Sequence, residues 1–311
     1  MAILLFLSLV LLMTEFCQSA VVEQDDEVRA IDKIRELIQD LGLENPPTVT
    51  NVSLAFHSAE VMQFHSCHAK LSCFFPQPTA KLTRRLFHDC ITGCDGCIDL
   101  DNLENNGLAG IFQEMNTLYD EEFATSEMSR GDFYALAAVV AVRLASDQQE
   151  CPPTDQNCTI PVPNMSILYG RKDCATSPNS ARDFGFPDVH GDLQEVMEVF
   201  RDGMGMTERQ VVALIGAHTM GMTSTRNSGF QGPWAPPTNR FDNAYFRMLM
   251  SSNNAWRQNQ RDSPNAPEGV NPRFQWDNFD SMPGVRPPRN ARMMLNTDMV
   301  WPIYLCAIYY A

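Results

Sequence analysis

The sequence predicts an all-α chain with long loops. Three observations carry this. Apolar residues recur at helical spacing in several separate segments. Period-2 strand patterns are scarce. Residues 145–190 and 256–292 are rich in Pro, Asp, Asn and other polar types, as long connecting loops are. The chain has 311 residues, 44% hydrophobic and 20% charged, which is ordinary for a globular protein and excludes disorder and fibrous structure. The length suits one large domain or two packed lobes.

Ala2 to Met13 is almost uninterrupted apolar, followed by Cys17-Gln18-Ser19-Ala20 and an acidic start at Glu23 to Glu27. A run of about a dozen apolar residues is too short for a bilayer, which needs roughly 20. The expected division is a signal peptide over 1–20 and one domain over 21–311, with an uncleaved anchor or a buried helix as the weaker alternatives. Gln24 to Leu41 carries Val28, Ile31, Ile34, Leu37, Ile38 and Leu41, a helical period that Asn45-Pro46-Pro47 ends. Residues 79–90 and 104–119 read as two further helices. Asp132 to Leu144 is apolar nearly all round and is expected to be a buried helix. Asp192 to Phe200 and Thr207 to Ala217 follow, the second opened by a Thr207/Gln210 capping box.

Acidic residues number 38 against 23 basic ones, a formal net charge of −15. A nucleic-acid partner is therefore not expected, because phosphate polymers need a basic surface. With the signal removed, no membrane attachment is expected either. Secretion would give the cysteines an oxidising compartment. Local disulfides are plausible for Cys151 with Cys158, Cys67 with Cys73, and two of Cys90, Cys94 and Cys97. Without Cys17 and with Cys174 and Cys306 the count is odd, which predicts a free or intermolecular thiol, with Cys306 the leading candidate. Glycosylation sequons at Asn51, Asn157 and Asn164 fit the same compartment.

Three clusters could carry chemistry. Arg84 and His88 are one helical turn apart, so a base and a guanidinium project from one face. The alternative is a solvated cationic face. His218 ends an apolar helix with Val211 and Leu214 on its face, as a metal ligand or a core histidine would. Cys90, Cys94 and Cys97 beside His88 suggest zinc or a disulfide, and Asp89 and Asp95 are candidates for calcium.

The order of these motifs resembles a known family. Arg84 to Cys97 (RRLFHDCITGCDGC), Asp132 to Leu144, Gly170-Arg171-Lys172-Asp173 and His218-Thr219-Met220-Gly221 closely resemble the plant, fungal and bacterial superfamily of haem peroxidases. The resemblance runs from roughly residue 30 to residue 300. Asn227 to Trp234, Arg240 to Asn243 and Met293 to Asp298 look like its cytochrome c and ascorbate peroxidase branch. The resemblance implies two helical lobes sandwiching haem b (iron protoporphyrin IX). It implies His218 as the axial ligand, Asp298 as acceptor of that ring's other proton, and Phe87 over the haem. It also implies His88 as the base for hydrogen peroxide, Asn105 as its orienter and Arg84 as the stabiliser of developing charge. Trp234 matches a tryptophan that stores an oxidising equivalent as a radical in cytochrome c peroxidase but not in ascorbate peroxidase.

Departures bear on the details. Asn227 stands where ascorbate peroxidases carry arginine, with Arg226 one place earlier, so ascorbate specificity does not transfer. Ala235 and Pro237 replace ligands of the proximal cation, so none is expected beside Thr219 and Asp242. Cys97 replaces a calcium-ligating serine. Thirteen residues follow Asp298, so the C-terminal end is expected to be truncated, with an exposed apolar tail from Met299. The reading is a secreted haem peroxidase that reduces hydrogen peroxide, oxidises small phenolic or aromatic donors and serves in oxidative stress. The rivals are a secreted calcium- or zinc-binding module, a disulfide-rich interaction protein, and an inactive peroxidase homologue.

Overall fold

The computed structural model describes residues 24–41, 77–91, 93–147, 167–174, 185–251, 256–261, 273–278 and 291–302. The signal segment, the three sequons, Cys67, Cys73, Cys151, Cys158 and Cys306 lie outside the described residues.

The described residues are mainly helical, as the periodicity predicts. Helix α1 (Gln24–Asp40) opens on Asp25, Asp26 and Glu27, which favour its positive N-terminal end. It buries Ala30, Ile34 and Ile38. Helix α2 (Pro78–Cys90) has proline in its first turn, where the missing N–H costs nothing. The segment read as a helix over 104–119 divides instead. A single 3-10 turn covers Leu103–Asn105, and α3 runs over Ala109–Glu122. Gly107 marks the break: its φ is +84°, in the left-handed region that favours glycine, and a Cβ there would lie 2.5 Å from Asn227 Nδ2.

Helix α4 (Arg130–Asp147) is the centre of the molecule. One face, with Ala135, Ala138 and Val142, joins a core shared with Leu86, Phe200, Val211 and Tyr245. Another, with Phe133, Leu136 and Val140, joins a core shared with Ile34, Ile38 and Ile111. A helix serving two cores must be apolar all round, which is what its sequence shows. Among the described residues, no helix is long and apolar enough to cross a membrane.

The second lobe begins with α5 (Leu193–Met197), capped by Asp192 and continuing as a wider turn to Gly203. Helix α6 (Glu208–Ile215) starts at the predicted Thr207/Gln210 box and tightens into a 3-10 turn over Gly216–Thr219. A Cβ on Gly216 would lie 2.9 Å from Phe246, so the close approach requires glycine. Strands β1 (Met222–Thr223) and β2 (Gly232–Pro233) pair antiparallel around α7 (Thr225–Ser228), and α8 (Ala244–Met250) follows.

The polar stretch 256–292 is not only loop. Strands β3 (Arg257–Arg261), β4 (Arg273–Asp277) and β5 (Met293–Met294) form an antiparallel sheet, with Trp276 opposite Met294. The ladder is held by backbone bonds, while Arg257, Gln258 and Gln260 stay exposed, so no apolar alternation marks it. Helix α9 (Asn296–Met299) closes the described chain. The expected exposed tail is corrected at its start, because Trp301 is fully buried in the core.

Candidate active site

Helix α2 places Arg84 and His88 one turn apart, as the spacing requires. The His88 Nδ1 is 2.7 Å from Asn105 Oδ1. Asn105 Nδ2 donates to the Asp99 carbonyl at 2.6 Å, so its oxygen is the atom turned to the ring. His88 therefore carries its proton on Nδ1, and Nε2 holds a lone pair. Arg84 Nε donates to that Nε2 at 3.2 Å, while its other nitrogens donate to the carbonyls of Glu104 at 2.6 Å and Asn106 at 3.0 Å. Burial, and then the Arg84 charge, holds the His88 pKa well below its usual value, against a smaller opposing pull from Asn105. Burial lowers Arg84 as well, to about 10, so it stays cationic at neutral pH. Phe186 packs on the His88 ring with centroids 4.6 Å apart, and Phe87 meets Phe186 and Phe200.

His218 sits on the 3-10 turn after α6. Its Nδ1 is 2.8 Å from Asp298 Oδ1, a carboxylate with no exposed surface. The Trp234 ring stacks on His218 at 4.2 Å and 14°, and its Nε1 donates to Asp298 Oδ2 at 2.7 Å. Two further donors converge on the same carboxylate: the Tyr245 hydroxyl at 2.8 Å and the Leu295 amide at 2.7 Å. The amide contact arises because Asp298 stands in the first turn of α9, where backbone N–H groups are free.

Arg84, Phe87, His88, His218 and Trp234 all line one cavity of about 650 Å³. Its walls include Leu86, Val196, Phe200, Leu214 and Ile215. The residues fit haem. His218 presents an imidazole whose Nδ1 is engaged by Asp298, and its Nε2 has no hydrogen-bond partner among the described residues. The apolar walls suit a large flat ring system.

Calcium does not fit. Asp89 is fully buried, and its oxygens accept the amides of Asp95 and Gly96 at 3.0 and 3.1 Å. Arg85 Nη1 approaches at 3.3 Å, so a guanidinium holds the place a cation would need. Arg85 also donates to the Gly96 carbonyl at 2.9 Å and lies 3.4 Å over the Tyr134 ring. Asp95 accepts from the Cys97 amide at 3.1 Å. Burial pushes the Asp89 carboxyl up, to about 6, with Arg85 pulling the other way.

The cysteines beside His88 pair with one another or with a distant partner. Cys90 is joined to Cys94, as the local reading allows, but Cys97 is joined to the distant Cys174. The one cluster of metal-ligand side chains among the described residues, Asp95 with Cys97 and Cys174, has both sulfurs in that disulfide. Of the residues singled out in the sequence, the structure brings Arg84, His88 and Asn105 together, and separately His218, Trp234 and Asp298. Thr219 donates to Asp242 at 2.8 Å. Sequence reasoning missed Phe186, which lies in a stretch read as loop, and Tyr245. No helix was expected around Tyr245, which lies in the helix Ala244–Met250 that the structure adds.

A histidine–arginine pair and a carboxylate-bound histidine share one largely apolar cavity. A family model described as "Peroxidase" matches residues 65–301. The chain is 29% identical over 222 residues to L-ascorbate peroxidase 1, cytosolic, of Oryza sativa subsp. indica, covering 71% of this chain and 73% of that protein. It is 25% identical over 228 residues to L-ascorbate peroxidase 2, cytosolic, of Arabidopsis thaliana, covering 73% and 74%. It is 32% identical over 123 residues to the mitochondrial cytochrome c peroxidase of Candida albicans, covering 40% and 29%. The chain belongs to the peroxidase family. It is an oxidoreductase that acts on hydrogen peroxide.

Proposed function

We propose that the protein is a secreted haem b peroxidase that reduces hydrogen peroxide to water and oxidises small phenolic or aromatic donors one electron at a time, in defence against oxidative stress. The observation that carries the reading is the lone pair on His88 Nε2, held by Asn105 beside Arg84 in the cavity that His218 also lines. Haem, when bound to His218, supplies an iron that accepts two oxidising equivalents from peroxide and passes them on singly.

The side chains do the rest. His88 Nε2 would take a proton from one oxygen of hydrogen peroxide and return it to the other, which leaves as water. Asn105 keeps Nδ1–H in place, so the proton moves only at Nε2. Arg84 exchanges its bond to His88 for one to the substrate and stabilises the charge that grows as the O–O bond lengthens. Asp298 holds the other ring proton of His218 and keeps the imidazole electron-rich. Phe186, Phe87 and Phe200 keep bulk water from the base.

Aromatic donors are supported by an apolar rim. Leu103 and Met222 line the cavity and are 43% and 48% exposed. Asn227 lines the cavity, so no guanidinium stands at that place to meet an anionic donor. The test is a donor panel with the haem-loaded enzyme and hydrogen peroxide. Phenols such as guaiacol should be turned over with higher kcat/KM than ascorbate. Preference for ascorbate would reverse the donor assignment, and no peroxide consumption with any donor would remove the function. Secretion rests on the apolar segment before residue 20. Expressed from its full reading frame in animal cells, the protein should appear in the medium; retention in the cytosol would contradict it.

A further inference from the structure

The carboxylate of Asp298 has more donors than the proximal ligand needs. We infer that Tyr245 is a positioning residue whose hydroxyl competes with His218 for one oxygen of Asp298 and thereby sets the reduction potential of the iron that His218 would hold. The inference rests on the haem reading above.

Both bonds end on Oδ1, His218 Nδ1 at 2.8 Å and the Tyr245 hydroxyl at 2.8 Å. The second oxygen is equally filled, by Trp234 Nε1 and the Leu295 amide, each at 2.7 Å. An ionised carboxylate offers about four lone-pair sites, and these four donors use them. Each donor to an ionised oxygen draws charge toward itself, so each weakens the hold on its neighbour. Tyr245 and Asp298 are both fully buried, where such competition is not damped by water. Tyr245 thus limits how far the carboxylate can pull the His218 proton. Weaker pull means a less imidazolate-like ligand and a less stabilised ferric iron.

Packing alone would not call for the hydroxyl. The Tyr245 ring meets His218 edge-on at 5.8 Å and Phe246 at 5.0 Å, contacts that phenylalanine would keep. Tyr245→Phe therefore removes one hydrogen bond and little else.

The parent and Tyr245→Phe are loaded with haem, and loading is verified by the Soret band. The ferric/ferrous midpoint potential and the iron–histidine stretching frequency are then measured. In Tyr245→Phe the midpoint should move to more negative potential and the stretching frequency should rise. An unchanged midpoint and frequency would leave Tyr245 a packing residue and overturn the inference. Should Tyr245→Phe fail to fold, 3-fluorotyrosine placed at position 245 keeps the ring and makes a stronger donor. The midpoint should then move positive, and no shift would overturn the inference. Failure of the parent itself to bind haem would remove the haem reading and this inference with it, and is told apart by the missing Soret band.

Discussion

His88 owes its usefulness as a base to being hard to protonate. Burial and the Arg84 guanidinium both oppose its charged form. Peroxide reactivity should therefore hold steady as pH falls through 6.5, the usual histidine value, and decline only well below it. A decline centred at 6.5 or above would contradict this. The same shift acts on stability. The folded state binds its proton less readily than the unfolded chain, so the contribution of His88 is fully present above about pH 6.5 and is lost as pH falls toward the folded value. His88→Leu should flatten that part of the stability profile, as pH-dependent melting would show. Loaded with haem, His88→Leu should react with peroxide about 10²–10⁴-fold more slowly. A stopped-flow rate equal to the parent's would take His88 out of its role. The Arg84–His88 pair was legible because it is local: four residues apart on a helix means one face. The bond from His218 to Asp298 spans 80 positions, and no local pattern encodes it. Only the resemblance to a family joined those two residues in advance. Tyr245 stayed hidden because a buried tyrosine looks like packing until its hydroxyl partner is seen.

At the scale of an element, α2 and the loop after it are locked by Arg85 and Asp89. Both side chains are essentially without exposed surface. Removing one partner of a buried pair strands the other charge and costs about 3–5 kcal/mol. Arg85→Met should destabilise the protein by roughly that amount in denaturant unfolding. Asp89→Asn keeps an acceptor for the Gly96 amide, so Arg85→Met with Asp89→Asn should cost clearly less than the two single changes summed. Simple additivity would mean that the pair is not coupled. A chelator such as EGTA should leave the melting temperature where it was, because the guanidinium already neutralises Asp89. The sequence made the opposite suggestion, since two aspartates and a tight loop look like a cation site until Arg85 is seen to fold inward. The β3–β4–β5 sheet escaped notice for a related reason. Its outer strand is polar on both faces, so its existence depends on backbone pairing and not on side-chain period.

At the scale of the molecule, α4 divides the interior into two cores, and the cavity opens where α2 and the segment following α6 come together. That plan was legible in outline. An all-round apolar helix announces a central position, and the order of motifs matches the family. Element boundaries were less legible, because they turn on single glycines such as Gly107 and Gly216 whose neighbours come from distant parts of the chain. The central claim is that one cavity brings a haem ligand and a peroxide base together. It is tested most directly by mixing the haem-loaded protein with hydrogen peroxide and following the Soret band in a stopped-flow spectrometer. A rapid shift of the band at near-stoichiometric peroxide, reversed when a phenolic donor is added, is the expected result. A protein that takes up no haem, or a Soret band that peroxide leaves unmoved, would contradict it.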